Sequence, residues 1–199
     1  MEKYKLLVVV DMQNDFVTGA LANPDAQAIV PEIAKYMQFA SDNDYRMVMT
    51  ADCHNSEKEF DFIEHYTVPT HCIKGTDGFD IVQPLLDVAT TQFPDGNWDV
   101  VYKNTFALDP RHIPWEIFFS FNHCYYLDSL SKDEVEEQLE GIYLCGVCTD
   151  ICVISNALMF RSLFPRTPIY VLSKLCAGTS REAHEAALQV MKNNCIVVT

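Results

Sequence analysis

Apolar runs of strand length alternate along the chain with amphipathic stretches of helix length. The first, Leu6-Leu7-Val8-Val9-Val10, is unbroken and mostly β-branched, which predicts a strand buried on both faces. Ile29, Ile33, Tyr36, Met37 and Ala40 then recur at helical spacing and predict a helix over 26–43. Further strands are expected at 45–50, 98–102, 142–145, 168–172 and 195–198. Further helices are expected at 81–90, 131–139, 149–163 and 180–193, with Ser131 and Glu134 at capping-box spacing. Two stretches lack a clean period. Residues 51–78 are mainly polar and hold three of the six histidines, and 107–140 hold Pro110, Pro114 and an aromatic cluster running from Trp115 to Tyr126. Six strands separated mostly by helices imply parallel crossovers, hence an α/β fold in three layers. Neither a repeat nor a Gly-, Ser- or Pro-rich linker interrupts the chain, so 1–199 reads as a single domain.

Charge and cysteine usage narrow the partners. Fourteen Lys and Arg stand against 28 Asp and Glu, a formal charge of -14. Such a surplus repels phosphate backbones and anionic lipid, so neither nucleic acid nor membrane is expected as a partner. The run Leu6–Val10 is too short to span a bilayer or form a signal-peptide core. Eight cysteines are about half the density of a disulfide-built scaffold, so reduced thiols and a cytoplasmic location are expected.

In open α/β sheets a ligand lies beyond the carboxyl ends of the strands. Four segments fall there: Asp11, the loop from Asp52 to His71, Lys103, and Gly146 to Cys152. In the last, Gly146 permits a tight turn, Thr149 is placed to cap a helix, and Cys152 falls in its first turn. Orphan amides and the helix dipole there favour a thiolate and could hold an oxyanion. A simple buried thiol is the alternative. Cys145-Gly-Val-Cys148 also spells a redox-type CxxC, although its first cysteine lies within a strand.

Asp11 could merely begin a turn, or it could take the proton of a nearby thiol. Lys103 could cap its strand in solvent, or hold charge beside an Asp and a Cys. Asp52-x-His54 puts two ligands on one side of an extended segment, with His71 able to return from the far end of the loop. Carboxylate plus imidazole suits zinc, iron or manganese; surface histidines are the alternative. His184 and the run Asp133-Glu134-Glu136-Glu137 read as solvated helix faces.

These pieces together resemble the isochorismatase-like hydrolase superfamily and, within it, the nicotinamidases. The likeness rests on Val9-Val10-Asp11-Met12-Gln13-Asn14-Asp15-Phe16-Val17, Asp52-Cys53-His54 and Pro69-Thr70-His71-Cys72 through Gly78. Tyr102-Lys103-Asn104-Thr105-Phe106 and Gly146-Val147-Cys148-Thr149-Asp150-Ile151-Cys152-Val153 complete it. The resemblance implies a six-stranded parallel sheet in order 3-2-1-4-5-6 and a catalytic triad of Asp11, Lys103 and Cys152. It implies a cis peptide bond between Val147 and Cys148, with the Cys148 and Cys152 amides aimed at an oxyanion. It also implies a divalent metal, zinc with iron or manganese as alternatives, on Asp52, His54 and His71. A fourth ligand comes from the intervening loop: Glu64 by spacing, with His65 and Glu59 as alternatives.

Phe16 and Phe106 are placed to sandwich a flat ring. Cys53 and Val68 depart from the pattern, standing where aromatics are usual. The implied reaction is hydrolysis of a small-molecule amide, nicotinamide to nicotinate and ammonia, through a Cys152 thioester in nicotinamide salvage. A ureido or carbamoyl substrate is the alternative. A homo-oligomer is expected, with the aromatic cluster as pocket wall or subunit contact.

Overall fold

The structure is a computed structural model that describes residues 3–55, 66–93, 97–113 and 131–199. The strands are β1 (Tyr4–Val10), β2 (Arg46–Asp52), β3 (Trp98–Lys103), β4 (Leu139–Val147), β5 (Ile169–Ala177) and β6 (Val197–Val198). The helices are α1 (Asn14–Val17), α2 (Pro24–Asp42), α3 (Gln83–Gln92), α4 (Lys132–Gln138), α5 (Ile154–Leu163) and α6 (Arg181–Asn193). The strands form one six-stranded sheet in order β3-β2-β1-β4-β5-β6, parallel at every junction. This is the doubly wound order expected above, with the chain reversing direction of growth between β1 and β4.

Burial explains which apolar runs became central strands. Leu6 to Val10 and all of β2 are buried, because β1 and β2 lie inside the sheet. Helix α2 buries Ile29, Ile33, Met37 and Ala40 of the stripe read from the sequence, with Ala26 in addition, and leaves Tyr36 half-buried. It starts two residues earlier than expected because Asn23 caps it and Pro24 takes the first helical position. Ser131 and Glu134 form the expected capping box on α4.

Strand β5 runs to Ala177, beyond the expected Leu172, since its polar residues Ser173 and Lys174 interrupt the apolar pattern without ending the ladder. The solvated reading of Glu136 is corrected: its carboxylate is buried and receives the Arg166 amide at 2.6 Å and guanidinium Nε at 3.1 Å. Trp115 to Tyr126 lie outside the described residues. Among the described residues no helix is long and apolar enough to cross a membrane, and seven cysteines are free thiols.

Candidate active site

Four strand ends deliver the site. Asp11 follows β1 with φ 49°, a left-handed turn that an aspartate tolerates better than most residues. Its amide donates to the Thr50 carbonyl, and Thr50 Oγ1 donates to Asp11 Oδ1 at 2.6 Å. Lys103 closes β3 beside Asp52, the last residue of β2. Its ammonium lies 2.7 Å from Asp11 Oδ2, 3.7 Å from Cys152 Sγ and 3.8 Å from Asp52 Oδ1. All four side chains are buried, which corrects the solvated alternative for Lys103.

After β4 the chain must cross Val10 closely. Gly146 sits at φ 113°, and a Cβ there would overlap the Val10 carbonyl. The Val147–Cys148 peptide bond is cis, as the resemblance implied. A wide turn over Thr149–Val153 then leads into α5, and its cap is Cys148 instead of the expected Thr149. The Cys148 carbonyl accepts the Ile151 and Val153 amides at 3.0 Å each and passes over that of Cys152. Thr149 is instead buried, with its hydroxyl 2.8 Å from His184 Nδ1, so His184 is not merely a solvated helix residue.

Charge in this buried cluster is strongly organised. Burial opposes charge on Lys103, but Asp11, Cys152 and Asp52 together hold its ammonium above the ordinary range. Burial pushes the Asp11 carboxyl up, against the pull of Lys103. Burial also pushes the Cys152 thiol well up; Lys103 opposes this, while the Asp11 charge and a hydrogen bond to Asp11 reinforce it. Burial thus disfavours charge on both the thiol and the carboxyl, and Lys103 is the group that favours the charged form of each.

Asp52, His54 and His71 form the second cluster, all buried, with one ligand atom each within 4.8 Å of the others. Asp52 Oδ2 is 3.2 Å from His71 Nε2 and 3.4 Å from His54 Nε2. Ligands bound at about 2.1 Å to one ion stand roughly 3.0–3.4 Å apart, so these spacings fit zinc or a similar divalent ion. A parallel bridge between His54 and Ile73 holds the two histidines side by side. The Pro69 carbonyl, 2.7 Å away, can only accept, so His71 Nδ1 carries the hydrogen and Nε2 is left facing Asp52. Burial opposes ionisation of Asp52, yet the charge of Lys103, with His54 and His71 close by, holds its carboxyl well below the ordinary range. Glu64, His65 and Glu59 lie outside the described residues.

Both clusters open into one cavity of about 460 Å³, lined in part by Phe16, Phe106, Val68, Asp52, His71 and Cys152. Phe16 also packs on His71, with ring centroids 5.3 Å apart. Three further side chains tie these parts together. Asp15 accepts the Cys72 amide at 2.7 Å and the Ala20 amide at 3.0 Å. Asn156 donates to the Cys152 carbonyl at 2.8 Å and accepts the Leu108 amide at 3.0 Å. Gln13 bonds both backbone groups of Asp52. Asp15 and Gln13 were visible only as letters of the motif after β1, and Asn156 carried no signal, because the Leu108 amide it joins to the Cys152 turn lies 48 residues away.

Similarity to known proteins agrees with this geometry. The model of the isochorismatase domain matches residues 5–107 and 118–199. A nicotinamidase/pyrazinamidase of Mycobacterium tuberculosis is 30% identical over 196 residues, 94% of each chain. The crystal structure of a pyrazinamidase/nicotinamidase from Streptococcus mutans superposes with a TM-score of 0.77 at 28% identity, covering 98% of this chain and 99% of the other. A pyrazinamidase of Pyrococcus horikoshii, solved in complex with zinc, superposes at 0.72 with 26% identity and 98% of both chains covered. By a domain match that covers most of its length, this chain belongs to the isochorismatase family.

Proposed function

We propose that the chain is a metal-assisted cysteine amidohydrolase that converts nicotinamide to nicotinate and ammonia, working as one domain over 1–199. The observation that carries this reading is the position of Lys103, whose ammonium lies within 3.8 Å of Asp11, Cys152 and Asp52 at once. The nucleophile Cys152 and two members of the candidate metal trio, Asp52 and His71, line one cavity, and Lys103 links the base Asp11 to them from behind its wall. The names of the similar proteins, nicotinamidases and pyrazinamidases, support a heteroaromatic carboxamide as the substrate.

In the proposed reaction Asp11 takes the Cys152 proton, and the thiolate attacks the carboxamide carbon. The Lys103 ammonium, 3.7 Å from the sulfur, stabilises the thiolate as it forms. The Cys148 and Cys152 amides receive the oxyanion. Asp11 returns its proton to the nitrogen as the C–N bond breaks, so ammonia leaves and the acyl group remains on Cys152 as a thioester. Water that gives a proton to Asp11 attacks the thioester carbon. The C–S bond breaks, the proton on Asp11 passes to the Cys152 sulfur, and the acid departs as nicotinate with its carboxyl proton lost to solvent. Phe16 and Phe106 flank the ring on the cavity wall. Asp52, His54 and His71 would hold the divalent ion, with Glu64 as a further ligand. When bound, that ion supplies a Lewis-acid contact for the pyridine nitrogen.

A ureido or carbamoyl amide is the second reading, favoured by Val68, an aliphatic residue on the cavity wall. Competition assays with nicotinamide, pyrazinamide and N-carbamoyl amino acids test the choice. Faster turnover of a carbamoyl compound than of either heteroaromatic amide would overturn the nicotinamide assignment.

A further inference from the structure

At the carboxyl edge of the sheet, β1 stops pairing before β2 does. The β1–β2 register ends at Val10 opposite Thr50, whereas the β2–β3 register runs on to Asp52 opposite Lys103. Asp52 therefore keeps a strand neighbour on one side, while its own N–H and C=O face the side that β1 has left. The Gln13 side chain takes that place. Its Oε1 accepts the Asp52 amide at 2.7 Å, and its Nε2 donates to the Asp52 carbonyl at 2.9 Å and the Phe79 carbonyl at 2.7 Å. The opposite orientation of the carboxamide would set an oxygen against two carbonyl oxygens, so the chemistry of the partners fixes this one. Gln13 is fully buried, and its amide also donates to the Asp11 carbonyl at 2.8 Å.

We propose that Gln13 is a positioning residue for Asp52: its side chain continues the β1 ladder and so sets the affinity of the Asp52–His54–His71 cluster for a divalent ion. The inference rests on the metal-site reading of that cluster. Gln13 touches no reacting atom. It acts because the Asp52 carboxylate must face two ways, Oδ2 towards the imidazoles and Oδ1 towards the Cys53 amide at 3.1 Å and Lys103. A backbone pinned at both N–H and C=O holds that division. A buried backbone pair without Gln13 would be unsatisfied and would shift to find other partners.

Gln13→Met keeps the length of the side chain and removes all three of its bonds. The test measures zinc affinity of the full chain by competition with a chromogenic chelator, and the visible absorption bands of the cobalt-substituted protein. Glu136→Gln, at the other end of the sheet, serves as the control for general loosening. The expected result is a fall in zinc affinity of about 10–100-fold with displaced cobalt bands for Gln13→Met, and wild-type values for Glu136→Gln. Wild-type zinc affinity and cobalt bands in Gln13→Met would overturn the proposal and leave the metal site standing. A wild-type protein that takes up no zinc overturns the metal reading and this proposal together. If Gln13→Met does not fold, Gln13→Glu, which still accepts the Asp52 amide but sets an oxygen against both carbonyls, is read by the same criteria.

Discussion

Lys103 Nζ stands 3.8 Å from Asp52 Oδ1, and this contact joins the Asp11–Cys152 pair to the Asp52–His54–His71 cluster. If the cluster holds a divalent ion as proposed, removing that ion should disturb both. Dialysis against a strong chelator is predicted to reduce ammonia release by at least about 10²-fold, with recovery on adding zinc. His71→Ala should show the same loss without recovery. Full activity in the chelated protein would separate the cluster from the chemistry.

Thr50 is a test of how Asp11 is held. Its hydroxyl gives Asp11 Oδ1 a 2.6 Å bond between two fully buried side chains. Thr50→Val keeps the shape and leaves a buried carboxylate oxygen short of a donor, at a cost of roughly 1–3 kcal/mol. The account predicts a lower urea midpoint and turnover reduced by about 10-fold, checked by unfolding and steady-state assays on the same preparation. Unchanged values in both would show that Lys103 alone orients the carboxylate.

Gly146→Ala probes the crossing of β4 over β1. The left-handed φ of 113° costs a side chain about 1–3 kcal/mol, and overlap with the Val10 carbonyl adds to it. A loss of at least about 3 kcal/mol in unfolding free energy is expected, together with loss of activity, since Cys148 and Cys152 follow directly. A variant within 1 kcal/mol of wild type would contradict the packing described.

Buried thiols predict the alkaline limb of stability. Burial raises the Cys176 thiol to about 12, against an ordinary value of 9.0, and pushes Cys145 up as well. The folded state thus keeps protons that the unfolded state gives up. Stability from this source is present below pH 9 and lost as pH rises towards 12, with a slope of about 1.4 kcal/mol per pH unit for each thiol. Urea midpoints measured between pH 7.5 and 10.5 should fall for the wild type and fall less steeply for Cys176→Ala. Equal slopes would place the effect on other groups.

What could be read in the sequence followed from periodicity and from the rule that ligands gather at strand ends. An unbroken Leu6–Val10 followed by Asp11, and Val100-Val101-Tyr102 followed by Lys103, put those side chains in the crevice before any coordinates. Glu136 and His184 were misjudged for one physical reason. A helix face looks solvated in sequence unless its partner is known, and Arg166 and Thr149 lie 30 and 35 residues away. Gln13 stood in the sequence only as a motif letter, because its bonds to Asp52 depend on β1 ending before β2, a matter of register that no local pattern records. Phe16 and Phe106, expected to flank a flat ring, both line the cavity, and Phe16 also packs at a tilt against His71.

The most direct test of the account is ammonia release from nicotinamide by the zinc-loaded protein, measured beside Cys152→Ala. The account predicts steady turnover for the wild type and a loss of at least about 10³-fold in the variant, whose melting temperature stays close to wild type. Turnover that survives Cys152→Ala would contradict the cysteine mechanism, and a wild type inert towards nicotinamide would contradict the substrate.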